Sequence, residues 1–340
     1  MIGPGREVDG FEAQMSLLHD SVGAVATSSG TAALHLALLA LGIGVGDEVI
    51  VPSYVCTAVL NAVRYVGAGA VLAEIDEESF NIDPTDGKSR MTGRTKAIIA
   101  PHIFGNPADI GALNRLGVPV IEDCAQSLGA TLGDRLAGSL GEIAVFSFYA
   151  TKVVTTGEGG MAVARNAALI EKMRDLRDYD ERDDYKQRFN YRMSDLAAGT
   201  GRRQLQRLPD FIRRRRRLAC FYSDGLTGKA VRIPAHVDGS IYYRYVVRTK
   251  SVDAYVNALH LLGIQAKRPV YAPLHHYVGG HLPRTDYVHR TALSLPLYPA
   301  LSDSEAEYVV SAVNSVADRS RVSERASLPL RAALAGTGAG

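Results

Sequence analysis

The chain has 340 residues, of which 46% are hydrophobic and 22% charged, a balance typical of a soluble globular protein with a sizeable core. Its 38 basic and 36 acidic residues leave a formal charge of +2, which argues against nucleic acid as the main partner. The three cysteines are widely spaced and lack the spacing of metal ligands, so we expect no metal site and a cytoplasmic location. The longest apolar stretch, residues 31–45, is too short to span a bilayer, and we expect no membrane partner.

The first half of the chain alternates between short apolar strands and helices. This rhythm predicts a mostly parallel sheet with helices on both faces, a three-layer α/β/α fold. An amphipathic helix is predicted within residues 1–20. The strands and helices that follow are predicted at residues 22–26, 32–41, 48–51, 58–65, 70–75, 96–101, 109–116 and 118–123.

The second half carries predicted helices up to residue 222 and then changes character. Five consecutive arginines begin at Arg213, but successive helical residues point around the axis, so they form no single basic stripe. After residue 228, β-rich segments and two helices predict a smaller α+β domain. We therefore expect a large domain at residues 1–228, a small domain at 229–323 and a flexible tail at 324–340.

Three local features point to chemistry. Ser29-Gly30-Thr31 opens an apolar helix and suits an anion such as phosphate, although on this segment alone an ordinary helix cap is the favoured interpretation. Asp123 ends a strand, where it could bind a ligand or cap the next turn. Lys152 follows a β-prone run, just before the glycine-rich turn 155–160, where it could act on a bound group. Alternatively, it is a lysine in solvent at the end of a strand. Together they match the needs of pyridoxal phosphate: helix N–H groups, a carboxylate and an amine.

Five motifs, in the same order, resemble the DegT/StrS family of sugar aminotransferases, whose fold is that of the fold-type I pyridoxal phosphate enzymes. The resemblance covers about residues 5–316. Family members begin earlier, with a segment that helps enclose substrate. The motifs are Ser28-Ser29-Gly30-Thr31-Ala32-Ala33-Leu34, Gly46-Asp47-Glu48-Val49-Ile50-Val51-Pro52-Ser53, Glu122-Asp123-Cys124-Ala125-Gln126, residues 146–160 and Asn190-Tyr191-Arg192-Met193-Ser194.

The resemblance implies roles for the residues around the cofactor ring. Lys152 would hold pyridoxal 5′-phosphate as a Schiff base, and Asp123 would pair with the pyridine nitrogen. Gln126 would lie near the phenolic oxygen. Cys56 stands where the family usually carries an aromatic ring that stacks on the cofactor, and Tyr54 is a neighbour that could compensate.

The resemblance also implies how the phosphate is held. Gly30, Thr31 and Ser147 would surround it within one chain. An asparagine equivalent to Asn190 reaches the phosphate of the neighbouring subunit in the family. A homodimer with shared active sites is therefore expected.

The implied reaction has two halves. An amino acid, expected to be glutamate, converts the cofactor to pyridoxamine 5′-phosphate, and a keto sugar then takes the amine. Lys152 would move the proton as general acid and base. Family dehydratases carry histidine there, so Lys152 argues against that branch.

The expected acceptor is a nucleotide-linked 4-keto-6-deoxy sugar, because the turn at 155–160 resembles relatives that aminate C4. A 3-keto nucleotide sugar and a keto-inositol remain alternatives. A non-catalytic regulatory relative is the third reading, and the presence of Lys152 and Asp123 argues against it.

Four residues are candidates for substrate contact because their segment resembles the part of the family that packs near the substrate mouth. Cations there would suit a diphosphate. The four are Lys267, Arg268, Tyr271 and His275.

Overall fold

A computed structural model describes residues 5–227 and 231–316 of the chain. The tail predicted at 324–340 lies outside the described residues. Eleven strands are defined within them: β1 Gly23–Thr27, β2 Glu48–Pro52, β3 Gly69–Ala73, β4 Thr95–Pro101, β5 Val120–Asp123, β6 Thr131–Leu132, β7 Arg135–Leu136, β8 Ile143–Ser147, β9 Gly160–Ala164, β10 Tyr245–Arg248 and β11 Ala292–Leu295.

The helices fill the connections between these strands. A final helical stretch, residues 303–316, begins with a capping box in which Ser302 and Glu305 exchange hydrogen bonds, as predicted. Within the described ranges, no helix has the length and apolar character needed to cross a membrane. The other helices are α1 Arg6–Leu18, α2 Gly30–Ala40, α3 Thr57–Tyr65, α4 Pro84–Ser89, α5 Ile110–Asn114, α6 Ala167–Arg177, α7 Asp195–Gln206, α8 Leu208–Gly225, α9 Val252–Leu261, α10 His275–Val278 and α11 Pro283–Thr291.

Seven strands form one sheet in the order β1-β9-β8-β5-β4-β2-β3. Strand β9 is antiparallel to both of its neighbours, β1 and β8, and the pairs from β8 to β3 are all parallel. The predicted mostly parallel α/β fold is therefore confirmed. Because β9 is antiparallel to the other six strands, its first residue lies at the same sheet edge as their last residues.

The two faces of the sheet are covered by different helices. Alternate side chains of β1, β8 and β9 pack in one apolar cluster with Phe11 and Met15 of α1 and Ala198 of α7. Helix α2 contacts the same three strands and also packs on α3 and α6. It is buried over most of its surface, which explains its uniformly apolar sequence.

Several elements were not anticipated. Helix α4 begins at Asp83, whose side chain caps the helix just before Pro84. The short β6–β7 hairpin, α11 and β11 were also missed. Strand β10 lies in the predicted β-rich region after residue 228, and Tyr242, which precedes it, adopts a left-handed conformation with φ of 48°.

The chain divides into two compact units. The larger comprises the residues up to Arg213 together with His236–Tyr243 and Val270–His289. The smaller comprises the described residues of Arg214–Ala235, Arg244–Pro269 and 290–316, and it contains the antiparallel pair β10–β11. The domain division predicted at residue 228 stays a prediction.

His19 makes the stability of the large unit sensitive to acid. Neither of its ring nitrogens has a hydrogen-bond partner among the described residues, and the ring packs 4.6 Å from that of Phe146. Burial lowers the pKa of His19 from 6.5 to about 4, although the charge of Glu122 opposes this shift. Between pH 6.5 and about 4, His19 is therefore protonated in the unfolded chain but neutral in the folded chain.

We expect this histidine to cost about 3 kcal/mol of unfolding free energy as the pH falls from 6.5 to 4. The contribution is fully present above pH 6.5. In urea titrations, His19→Leu should lose less stability than the wild type over this range, while the exposed His281→Gln should keep the wild-type slope. Parallel curves for His19→Leu and the wild type would contradict the assignment.

Candidate active site

The beginning of α2 presents unused backbone donors at the edge of the sheet. Ser29 caps the helix, and its Oγ accepts a hydrogen bond from the N–H of Ala32 at 3.1 Å. The N–H groups of Gly30 and Thr31 donate to no acceptor among the described residues. They stand at the positive end of the helix dipole, an arrangement that suits a phosphate.

This helix start is pressed against the ends of β8 and β9. Thr27, Gly160 and Ser147 face one another across three neighbouring strands. A Cβ added to Gly30 would lie 2.8 Å from the Cβ of Ser147, and one added to Gly160 would overlap the carbonyl oxygen of Ser29. Glycine at both positions therefore lets the helix start and Ser147 approach the same point.

Asp123 ends β5, as predicted, with its side chain buried at this edge. One carboxylate oxygen accepts a hydrogen bond from the N–H of Ala125 at 3.0 Å, and the other accepts none from the described residues. Burial raises the pKa of Asp123, and the N–H of Ala125 and the charge of Lys152 oppose the shift in part. A buried carboxylate with an open acceptor position fits a protonated ring nitrogen, which would supply both the missing donor and a compensating charge.

The residue before Asp123 fixes the end of β5. Glu122 is buried and accepts hydrogen bonds from three backbone N–H groups in residues 138–141 and from His102 Nε2 at 3.0 Å. His102 Nδ1 accepts from the N–H of Ala108, so Nε2 carries the ring proton. Burial would raise the pKa of Glu122, but these hydrogen bonds hold it below its ordinary value.

Lys152 lies in a turn beyond the sheet, which differs from the predicted strand exit. Strand β8 ends at Ser147, and the N–H of Lys152 donates to the carbonyl of Tyr149 at 2.9 Å. Its Nζ is 5.4 Å from the ring centroid of Tyr243. The hydroxyl of Tyr243 is 3.5 Å from that of Thr151 in the same turn. Sequence reasoning missed Tyr243, because nothing local indicated that it would meet this turn.

Lys152 and Asp123 influence each other without forming an ion pair in the described residues. Lys152 donates no hydrogen bond there, so its amine is available. Cys56 belongs to the same electrostatic group: reduced hydration and then the charge of Asp123 raise the pKa of its thiol, while Lys152 lowers it. Asp123, Lys152 and Cys56 are therefore close enough for their charges to interact.

Gln126 is oriented by an unusual backbone. Its Oε1 accepts a hydrogen bond from the N–H of Phe104 at 2.9 Å. Phe104 has a φ of 59°, a conformation that few residues other than glycine adopt. With Oε1 engaged, the amide nitrogen of Gln126 has no partner among the described residues and can donate to a ligand oxygen.

Asn190 lies beside the helix start of its own chain. The carbonyl of Tyr191 accepts from the N–H of Ser28 at 2.7 Å. Asn190 itself is exposed, and its Oδ1 accepts from Arg192 Nε at 3.3 Å. Its predicted reach into a neighbouring subunit stays a prediction.

The four predicted substrate contacts fall in two different units. Tyr271 and His275 belong to the larger unit, where Tyr271 is 90% exposed and His275 is buried. Lys267 and Arg268 belong to the smaller unit, and Arg268 pairs with Asp253 at 2.8 Å. The role of all four residues in substrate binding stays a prediction.

This fold, with a lysine, a buried carboxylate and a helix start at one edge of the sheet, is typical of aminotransferases that use a phosphorylated aldehyde cofactor. The family model of the DegT/DnrJ/EryC1/StrS aminotransferase family matches residues 1–314. The chain belongs to this family. The predicted family and enzyme class are thereby confirmed.

Three similar proteins illustrate the relationship. The GDP-perosamine synthase of Caulobacter vibrioides is 36% identical over 319 residues, which cover 86% of this chain and 85% of that protein. The dTDP-3-amino-3,4,6-trideoxy-alpha-D-glucose transaminase of Streptomyces venezuelae is 36% identical over 338 residues, 94% of this chain and 89% of its own length. Spr1654 of Streptococcus pneumoniae, solved in a PLP form and a PMP form, has a TM-score of 0.88 and 26% identity, with 94% of this chain and 93% of that one covered.

The close packing beneath α2 can be tested directly. Gly160→Ala should push Ser29 and the helix start away from Ser147, which we expect to destabilise the fold by about 1–3 kcal/mol and to weaken binding of inorganic phosphate and of cofactor. The measurements are urea unfolding and an absorbance titration with cofactor. Gly93→Ala is the matched control, because an added Cβ there meets open space. Equal stability and cofactor affinity in the two variants would refute this account of the site.

Proposed function

We propose that this aminotransferase moves an amino group from an amino acid, expected to be glutamate, to the keto group of a nucleotide-linked sugar. The observation that carries the acceptor class is the similarity, at 36% identity, to two relatives whose names specify GDP-linked and dTDP-linked sugars. The site itself supports an amine transfer, because it holds an available lysine amine and a buried carboxylate at one sheet edge.

The predicted cofactor, pyridoxal 5′-phosphate with its pyridoxamine form, is confirmed by family membership and by the two forms of the Streptococcus pneumoniae structure. When bound, it supplies an aldehyde that accepts the amino group and a ring that takes up electrons. The unused N–H groups of Gly30 and Thr31, together with Ser147, fit its phosphate. The open oxygen of Asp123 fits its ring nitrogen.

The roles of the chain's own residues follow from their surroundings. Asp123 would keep a proton on the ring nitrogen, because a buried carboxylate is stabilised by a positive partner. Gln126 would donate from its amide nitrogen to a cofactor oxygen. Lys152 would accept a proton from the substrate carbon and return one, and the Tyr243 ring, 5.4 Å from Nζ, would help to position the amine. Cys56 would take the place of the aromatic residue at the ring face.

The position of amination has two candidates. We favour C4 of a 4-keto-6-deoxy sugar, because the turn at residues 155–160 resembles that of relatives that aminate C4. Amination at C3 is the second candidate, since the Streptomyces venezuelae relative is named for a 3-amino sugar.

The site is proposed to be completed by a second copy of the chain. Asn190 is exposed and lies next to Tyr191, which holds the segment before α2. From there it could reach the phosphate bound by a partner. We propose a homodimer that works in the cytoplasm.

Replacing the lysine tests the chemistry. Lys152→Ala should abolish the visible absorbance of lysine-bound cofactor and its bleaching by borohydride, since it removes the amine that forms that bond. The exposed Lys96→Ala should retain both signals. Mass spectrometry after borohydride treatment identifies the modified peptide. A cofactor adduct on another lysine would overturn the role of Lys152.

The acceptor is tested with a panel of GDP- and dTDP-linked 4-keto sugars, the corresponding 3-keto sugars and keto-inositol, each with glutamate. We expect amination of a 4-keto nucleotide sugar, with the position of the new amine established by NMR. Turnover of 3-keto sugars alone would move the assignment to C3, and turnover of keto-inositol alone would reject the nucleotide-sugar proposal.

A further inference from the structure

We propose that His275, His276 and Asp286 form a binding site for a divalent transition ion, for which zinc is the best match. The Nε2 atoms of the two histidines lie 3.1 and 2.8 Å from the same Asp286 oxygen. All three potential ligand atoms lie within 4.8 Å of one another. Tetrahedral zinc with bonds of about 2.0–2.1 Å requires ligand atoms about 3.3 Å apart, so small side-chain movements would admit the ion.

The two helices that carry these ligands are fixed before any ion binds. Glu74 is buried, and its carboxylate accepts hydrogen bonds from the N–H groups of Arg284 and Thr285 at 2.9 Å each and from the Thr285 hydroxyl at 2.7 Å. This anchors the first turn of α11, which contains Asp286. The carbonyl of Ser53 accepts from the N–H of Leu274 at 2.8 Å and anchors the start of α10. A preorganised ligand set binds a metal more tightly than a mobile one.

The hydrogen bonding of His275 suits a metal ligand. Its Nδ1 is 2.7 Å from the Oγ of Ser53, a residue that is completely buried. A histidine that binds a metal through one ring nitrogen usually donates a hydrogen bond from the other. Ser53 Oγ is placed to accept such a bond from Nδ1, so Nε2, which contacts Asp286 in the absence of an ion, would be the ligand atom. His276 Nδ1 has no partner among the described residues, so this ring can take the same tautomer.

The cluster combines charge with access to solvent. Asp286 places one carboxylate oxygen within 3.1 Å of an imidazole nitrogen of each histidine. The side chains of His276 and Asp286 are 40% and 28% exposed, so an ion can enter and water can fill the remaining positions. Two imidazoles and one carboxylate favour zinc over magnesium or calcium, which prefer oxygen ligands.

A second cluster, His102, Glu122 and Cys124, illustrates what excludes a metal. His102 donates from Nε2 and accepts at Nδ1, and Glu122 accepts hydrogen bonds at both oxygens. Its groups are buried and committed to one another or to the backbone. At His275, His276 and Asp286 only Ser53 competes for a ligand side chain among the described residues.

An ion bound by His275, His276 and Asp286 would join α10 to α11 and stiffen the segment that carries Tyr271. The proposal does not rest on the proposed sugar chemistry.

The test is calorimetric titration of the chelator-treated holoenzyme with zinc chloride, followed by cobalt substitution and visible spectroscopy. We expect one zinc ion per chain, a melting temperature raised by several degrees, and the d–d bands of tetrahedral or five-coordinate cobalt. His276→Gln should weaken zinc binding at least about 10-fold, and Asp286→Asn should do the same. His281→Gln, an exposed histidine between the same two helices, should bind like the wild type.

Three results would overturn the site. The first is the absence of saturable binding up to about 100 µM zinc in the wild type. The second is unchanged zinc affinity in His276→Gln, an exposed position whose replacement should leave the fold intact, as circular dichroism would verify. A loss of affinity in His281→Gln equal to that in His276→Gln would place the ion elsewhere in the loop and equally reject this ligand set.

Discussion

The close contact between the start of α2 and the ends of β8 and β9 is the constraint on which the site depends. Neither Gly30 nor Gly160 has room for a Cβ, so backbone meets backbone where side chains would otherwise separate the layers. The helix N–H groups, Ser147 and the turn that carries Lys152 are thereby gathered at one edge of the sheet. The antiparallel direction of β9 is part of the same arrangement, because it brings Gly160 to this edge, in register with Thr27 and Ser147.

The adjacent carboxylates of Glu122 and Asp123 differ in their surroundings and in their hydrogen bonding. Successive residues of a strand point to opposite faces, so Glu122 and Asp123 meet different surroundings. Glu122 is saturated with hydrogen bonds, and its pKa is lowered. Asp123 accepts one hydrogen bond, and its pKa is raised by burial. The first therefore holds the end of β5 in place, whereas the second remains available to a cation, and the loss of stability from burying Asp123 is reduced when such a cation is bound.

Local sequence patterns predicted most of the sheet because each of β1 to β5 is a short apolar run with turn residues on both sides. They could not predict the direction of β9, which depends on pairing between distant segments. They also placed Lys152 on a strand exit, because Phe148 and Tyr149 are β-prone; the strand ends at Ser147, where the chain leaves the sheet and folds into the turn that carries Lys152. The cofactor candidates came from resemblance and local chemistry, whereas Tyr243 required the fold itself.

The segment Val270–His289, which carries two of the predicted substrate contacts, is positioned in a different way from the strand ends. Two of the predicted cofactor residues, Asp123 and Ser147, end strands, and parallel strands bring their carboxyl ends together whatever the loops between them contain. Residues 270–289 are held instead by side-chain contacts over long sequence distances, between His275 and Ser53 and between Thr285 and Glu74. A histidine that reads as a substrate contact in sequence is therefore buried, with both ring nitrogens engaged. The contact of His275 with Ser53 fixes where α10 begins, while Tyr271 in the same segment is 90% exposed and its role in substrate binding stays a prediction.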